Sequence, residues 1–307
     1  MESVAILGVG LIGGSFALAL RAAGFQGEIV GVSSPSTIER ARALGAVDRA
    51  CTLEEAARRA DLLFLAQPVG VIRDSLAAIV PHLRPHALVT DAGSTKAEIV
   101  AEAQRHPAMQ FLGGHPLAGK EIRGVEAAEA TLFHGRTWVL TPVKEDFLRC
   151  PAAVEFRAWL ERIGAQIVAI DPETHDRALA FSSHLPQLAA VALASSCGAS
   201  GLADKIAAAR LFGPALQEAT RLARSPFSIW RDILDTNRGP IHRALECYIM
   251  KLQQLKEELE RGESSGLDRE FQAAALFAAS IRPSGQLNEE RESSRRSVYL
   301  GDEFSRK

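Results

Sequence analysis

The chain has 307 residues, of which 47% are apolar and 23% charged, and its formal net charge is −2. This is the size of about two ordinary domains and the composition of a globular protein. So even a charge balance gives no general attraction to nucleic acid or to an anionic membrane, and neither is expected as a partner.

Residues 3–7 (SVAIL) read as a buried strand, and residues 11–23 as a helix with Gly24 just past its end. EIVGV at 28–32 reads as a second strand, and 36–44 as a helix stopped by Gly45. Strand-like runs recur at 61–68, 87–94, 109–116, 137–142 and 165–171, with helical patterns between most of them. This alternation predicts an α/β fold with a mostly parallel sheet and helices on both faces. From 171 to about 281 no strand pattern is convincing, and the runs 178–196, 213–223 and 241–259 have helical spacing. These helices are too apolar to stand alone, so a homodimer formed through them is expected. The expected organisation is a nucleotide-binding domain at 1–170, an all-helical domain at 171–282 and a tail at 283–307. The tail is rich in Ser, Arg and Glu and has the composition of a disordered segment.

The four cysteines, Cys51, Cys150, Cys197 and Cys247, form no C-x-x-C pair. With no basic, unbroken apolar leader at the N-terminus, a cytoplasmic, reduced setting is expected. No uninterrupted apolar run approaches a membrane span. His82, His86, His106, His134, His175 and His242 share no metal-ligand spacing, and no metal is expected.

The stretch ILGVGLIGGS at 6–15 sets Gly8, Gly10 and Gly13 in a G-x-G-x-x-G pattern between a strand and a helix. Gly8 serves a tight turn, Gly10 leaves room for a pyrophosphate, and Gly13 lets the helix approach the strand. The helix start at Leu11 and Ile12 offers free N–H groups to the phosphates. The pattern predicts a Rossmann-type doubly wound domain that binds NAD or NADP. The second strand ends Val32-Ser33-Ser34-Pro35-Ser36-Thr37, without the acidic residue that commonly holds the ribose of NAD. Ser33, Ser34 and Thr37, with Arg40 one turn on, favour NADP. Ordinary helix capping is the alternative use, since Ser36-x-x-Glu39 reads as a capping box.

Two strand ends carry further polar groups: Asp91-Ala92-Gly93-Ser94-Thr95-Lys96, and Gly113-Gly114-His115-Pro116-Leu117-Ala118-Gly119. Open α/β sheets bind ligands at the carboxyl ends of their strands. The helical region adds Ser183-His184-Leu185-Pro186-Gln187 and the segment ATRLARSPFSIW, which includes Arg221 and Trp230. In this order, DAGSTK, GGHPLAG, SSHLP and ATRLARSPFSIW resemble the prephenate/arogenate dehydrogenase family over about residues 3–281. The resemblance implies a Rossmann-type domain with a C-terminal helical dimerisation domain. It also implies an NAD(P)-dependent oxidative decarboxylation: a ring hydroxyl becomes a carbonyl, hydride leaves, CO2 is lost and the ring aromatises.

That chemistry needs an acceptor for the hydroxyl proton and a cation for a carboxylate. The resemblance makes His115 the catalytic histidine, and a neutral imidazole fits the acceptor. Ser94 would bond the same hydroxyl, although capping a helix would compete for its oxygen. Arg221 fits the carboxylate clamp, with Glu218 three residues earlier on the same helix face. His184 would lie near the ligand, and Trp230 would wall the pocket, although both residues also suit an ordinary core. Lys96 and Lys120 suit either attraction of anions near the site or, by default, the exposed surface. Prephenate is the expected substrate. Arogenate, or acceptance of both, is the alternative, and Gln187 does not decide between them. A non-catalytic NADP-binding sensor is the remote alternative, disfavoured because His115 and Arg221 are both present.

Overall fold

The structure, a computed structural model, describes residues 1–120, 122–201, 211–262 and 264–281, without the side chain of residue 145. The tail expected at 283–307 lies outside the described residues. The chain divides into two compact units, Met1–Met250 and Lys251–Lys307.

The first unit is built on eight strands: β1 (Ser3–Leu7), β2 (Glu28–Val32), β3 (Arg49–Ala50), β4 (Leu62–Leu65), β5 (Leu88–Asp91), β6 (Gln110–Pro116), β7 (Thr137–Pro142) and β8 (Gln166–Ala169). Their order in the sheet is β3-β2-β1-β4-β5-β6-β7-β8. All neighbours run parallel except β6 and β7, which are antiparallel. The two-residue β3 was not legible as a strand. Along β1, Val4 and Ile6 face one apolar layer while Ala5 and Leu7 face the other. Leu62 and Phe64 alternate with Leu63 and Leu65 in the same way. A strand covered on both faces needs apolar residues throughout, which is why these segments are unbroken hydrophobic runs. Trp138 anchors one layer, its ring 5.0 Å from Phe133 and 5.7 Å from Phe16.

Five helices cross over the sheet before β6: α1 (Leu11–Ala22), α2 (Pro35–Ala43), α3 (Leu53–Arg59), α4 (Val69–Ile79) and α5 (Ala97–Gln104). Helix α6 (Pro151–Arg162) links β7 to β8. Helix α2 corrects the expected capping box. Its N-cap is Ser34, whose Oγ accepts from Thr37 N at 3.3 Å, and Pro35 fills the first helical position. Proline suits that position because it has no N–H to leave unpaired.

After β8 come α7 (Pro172–Leu179), a π-helical turn (Ala180–His184) and α8 (Leu185–Ala199). Together they form a 28-residue run, by length and composition apolar enough to cross a membrane. Polar residues interrupt the run, so it contains no uninterrupted apolar stretch of spanning length. Of these, His175, Asp176, His184 and Gln187 are buried and hydrogen-bonded within the protein. Helix α9 (Pro214–Ala219) ends earlier than its sequence pattern implied. Thr220 turns its hydroxyl back onto Leu216 O at 2.7 Å, and a 3₁₀ turn, Arg221–Arg224, follows. Such back-bonding competes with continued helix. Glu218 and Arg221 therefore do not share one α-helical face. Helices α10 (Phe227–Thr236) and α11 (Arg238–Arg261) complete this part of the chain. The second unit contains α12 (Ser264–Ser280), with Lys251 Nζ bonded to Glu270 at 2.9 Å.

Candidate active site

The glycine turn has the geometry that a dinucleotide requires. Gly8 has φ +90°, and a Cβ there would sit 2.7 Å from Ala66 O. A Cβ at Gly13 would run into the Gly8 carbonyl and the Ile6 side chain, so only glycine lets α1 lie this close to β1. A Cβ at Gly10 would meet nothing within 4 Å. Gly10 is the N-cap of α1 and brings no side chain to the first N–H groups. Open space and uncapped donors at a helix start fit a pyrophosphate. At the end of β2, Ser33 and Ser34 are exposed, and Ser34 Oγ donates to Thr37 Oγ1 at 2.8 Å. Arg40 forms an ion pair with Glu126 at 2.6 Å.

The two strand ends singled out above are adjacent, because β5 and β6 pair in parallel. Glycine is again needed. A Cβ at Gly114 would sit 2.6 Å from Asp91 O, and one at Gly113 would strike Thr141 Oγ1. Ser94 lines a cleft of about 220 Å3 together with Gln67, Gly93, Arg123, Ile229 and Asp232. Ser94 does not cap α5. The N-cap position is Lys96, and the capping oxygens come from Asp176, which accepts from Lys96 N at 2.8 Å and Ala97 N at 2.9 Å. The hydroxyl of Ser94 is thus not needed for a cap.

His115 is 8% exposed. Its Nδ1 lies 2.8 Å from His175 Nε2, and His175 Nδ1 lies 2.7 Å from Asp176 Oδ1. Hydrogen bonding sets the protons. The Asp176 carboxylate can only accept, so His175 carries its proton on Nδ1. Its Nε2 must then accept, so His115 carries its proton on Nδ1 and keeps a lone pair on Nε2. Burial holds the His115 pKa well below the usual imidazole value, and His175, Lys96 and His184 push in the same direction. The ring is therefore a neutral acceptor at physiological pH.

His175 and Asp176 were not recognised from sequence. They follow a strand in DPETHD, with Asp171 capping α7 through Thr174 N at 2.8 Å. The signal available was a His-Asp pair on a helix just past a strand end. Nothing in its spacing pointed to His115, 60 residues away.

His184 is buried, with Nδ1 3.1 Å from Asn237 Nδ2, and that same amide donates to Asp176 O at 2.8 Å. Burial lowers the His184 pKa to about 4. Its ring meets Trp230 edge-on at 5.9 Å, and Trp230 Nε1 donates to Ser225 Oγ at 3.0 Å. Gln187 is buried and donates to Leu222 O at 3.0 Å, which ties the Arg221 turn to α8. Gln187 is thus a structural residue, and Arg221 itself is exposed. Lys120 pairs with Glu129 at 2.7 Å. Lys96 departs furthest from expectation: it is fully buried and bonded to Asp91 and Gly114 O. Among the described residues no group of three or more His, Cys, Asp or Glu is placed to hold a metal ion.

A doubly wound sheet with an open glycine turn, a buried imidazole at a strand end and an appended helical region defines an NAD(P)-type dehydrogenase. Family models extend this. "Prephenate dehydrogenase, nucleotide-binding domain" matches residues 16–169, and "Prephenate dehydrogenase, dimerization domain" matches residues 171–273. The chain belongs to the prephenate dehydrogenase family. It is 30% identical to a prephenate dehydrogenase of Bacillus subtilis over 89% of this chain and 74% of that one. It is 31% identical to a cyclohexadienyl dehydrogenase of Zymomonas mobilis over 88% of this chain and 92% of that one. Among solved structures, prephenate dehydrogenase from Aquifex aeolicus, in complex with hydroxyphenyl propionate and NAD+, superposes with a TM-score of 0.82. It is 30% identical, and the match covers 92% of this chain and 99% of that chain.

Proposed function

We propose that the protein oxidatively decarboxylates prephenate to 4-hydroxyphenylpyruvate with NAD(P)+, and that His115 is the base. The observation that carries this reading is the chain His115–His175–Asp176, which leaves a lone pair on His115 Nε2. Bound NAD(P)+ supplies the acceptor for the hydride that leaves C4 of the substrate ring. The C4 hydroxyl proton passes to His115 Nε2, and Ser94 bonds the same oxygen. A weak base suffices because the hydroxyl becomes strongly acidic as hydride departs. The positive charge gained by His115 faces His175 and, through it, the Asp176 carboxylate. The bond from the ring to its carboxylate then breaks, its electron pair completes the aromatic ring and passes onto the C4 carbonyl oxygen, CO2 leaves, and the phenolate so formed takes back the proton held by His115. Arg221 is the proposed partner of a substrate carboxylate, and the Gln187–Leu222 bond tethers the turn that carries it to α8. His184 and Trp230 close the wall next to Asp176.

The end of β2 carries no carboxylate and admits either cofactor. NADP requires Arg40 to exchange Glu126 for the 2′-phosphate, with Ser33, Ser34 and Thr37 alongside. The similarity to a cyclohexadienyl dehydrogenase favours one second reading, acceptance of arogenate as well. We place the enzyme in the cytoplasm as a homodimer joined through the helical region beyond residue 170. In support, the family model there is a dimerization domain, and Phe181, Phe227 and Met250 are exposed. The helical domain is proposed to cover 171–282, with 1–170 as the nucleotide-binding domain.

Assaying prephenate and arogenate, each with NAD+ and NADP+, tests the reading directly. With the best pair, His115→Asn should keep cofactor affinity and lose ~100-fold or more in kcat, the scale of a lost acid/base group. Near-normal kcat in that variant would remove His115 from the mechanism.

A further inference from the structure

Strand β6 carries His115 beyond the reach of its parallel neighbour. The β5–β6 ladder ends at Thr90↔Leu112, whereas β6 continues on its other side along β7 to Pro116↔Trp138. From Gly113 onward the edge facing β5 has no strand partner. Side chains replace it. Asp91 Oδ1 accepts from Gly114 N at 3.0 Å, and Lys96 Nζ donates to Gly114 O at 2.8 Å. Asp91 Oδ2 accepts from Lys96 Nζ and from Gly93 N at 2.8 Å. Both backbone groups of the residue before His115 are thus held by one buried ion pair, and the same pair bonds the loop that carries Ser94.

We propose that Lys96, acting with Asp91, is the positioning residue of the reaction, fixing His115 against Ser94 by extending the β5–β6 ladder one residue past the end of β5. The proposal rests on the reading of His115 as the base. A purely stabilising role does not account for this pair, for two reasons. First, a buried ion pair is a poor source of stability. Its desolvation penalty is large, and an apolar pair of similar volume often stabilises as well or better. Both side chains are 0% exposed, so solvent recovers none of that cost. Second, Lys96 is where the two halves of the site meet. Its side chain grips Gly114, while its backbone N–H is bonded to Asp176, the end of the chain that orients His115. Lys96 touches neither substrate nor cofactor in this account; it acts through the backbone.

The test uses the full chain with Lys96→Met, which leaves the backbone bond to Asp176 in place. Cofactor Kd and KM should stay within about threefold while kcat falls at least tenfold, since a small misplacement of a reacting group costs up to ~100-fold. The pH profile is the second readout. His115 faces His175, His184 and Lys96, with Asp176 beyond His175 and Asp91 beyond Lys96. Losing the cation removes a group that disfavours protonation of the imidazole, so the acid limb of kcat/KM should move to higher pH. A variant with normal kcat per folded molecule and an unmoved limb, only melting earlier, would overturn the proposal. If Lys96→Met does not fold, Asp91→Asn/Lys96→Met, which leaves no charge unpaired, decides by the same readouts. His115→Asn is run in parallel. An active His115→Asn defeats the reading of the base, whereas an inactive His115→Asn beside a fully active Lys96 variant defeats this inference alone.

Discussion

Asp176→Asn probes the hydrogen-bond chain at its anchored end. The carboxylate takes three N–H groups: His175 Nδ1 at 2.7 Å and Lys96 N at 2.8 Å on Oδ1, and Ala97 N at 2.9 Å on Oδ2. An amide presents one oxygen, so its NH2 must face at least one of these donors. If it faces His175, that ring must accept at Nδ1 and move its proton to Nε2. His115 then accepts at Nδ1 and carries its own proton on Nε2, the tautomer that cannot take a hydroxyl proton. Such an inversion costs on the order of 10⁴-fold in kcat. If the NH2 faces Ala97 instead, the tautomers survive, but a charged acceptor is lost opposite the nascent imidazolium. That loss is worth ~1.5–3 kcal/mol, roughly 10- to 150-fold in rate. Either orientation therefore lowers kcat by at least ~tenfold, and the glycine turn is untouched. Steady-state kcat followed by NAD(P)H absorbance, with cofactor Kd from fluorescence titration, gives both numbers. A kcat near that of the wild type at unchanged cofactor affinity would refute the tautomer argument.

If the end of β2 holds the adenosine ribose as proposed, Ser33→Asp places a carboxylate there that accepts from the 2′-OH of NAD and repels the 2′-phosphate of NADP. Two charge-dependent contacts of ~1–2 kcal/mol each should lower the NADP/NAD preference at least tenfold, read as the ratio of kcat/KM values. Glu126→Gln should move the same ratio the other way by releasing Arg40, and no change in either variant would place the selectivity elsewhere. Arg221→Ala should raise substrate KM at least ~tenfold with cofactor Kd unchanged, and an unaltered KM would leave Arg221 without a part in binding. Acid stability follows from His184. Its folded pKa of about 4 lies below the ordinary 6.5, so the unfolded chain binds the proton first, and stability falls as pH drops from about 6.5 to about 4. The gap corresponds to ~3 kcal/mol, read as the difference between wild-type and His184→Asn urea midpoints across that range because buried His115 adds a loss of the same sign, and a His184→Asn curve as steep as the wild type would count against it.

Much of this fold could be read from the chain because strands covered on both faces must be apolar throughout. The segments at 3–7, 28–32 and 137–142 coincide with β1, β2 and β7 for that reason. The tight turn at Gly8 and the close helix approach at Gly13 were legible, because each answers a local steric demand. Legibility failed where local signals competed or where partners were distant. Ser36 reads as a cap from its spacing to Glu39, whereas Ser34 is the cap, and Pro35 settles the choice once its lack of an N–H is weighed. Thr220 passed for a helical residue until its hydroxyl was seen to bond Leu216 O. Lys96 reads as a surface lysine because nothing near it in sequence announces that β5 ends one residue after Thr90 while β6 runs on. The link between His115 and His175 is a contact between a strand end and a helix 60 residues later. No periodicity carries that kind of information.

The π turn at Ala180–His184 has a consequence for how this site can vary. In an unbroken α-helix each residue advances about 100°, so His175 and His184, nine residues apart, would lie roughly on opposite sides. The wider turn slows that advance and swings His184 round toward the side that holds Asp176 and Asn237. Helical phase is therefore a setting of this protein, adjustable by chain length as well as by side-chain identity. Removing one residue from the turn would change no functional group, yet it would rotate His184, Gln187 and the rest of α8 by about a quarter turn or more. For such a helix, deletions and insertions explore geometries that no substitution can reach.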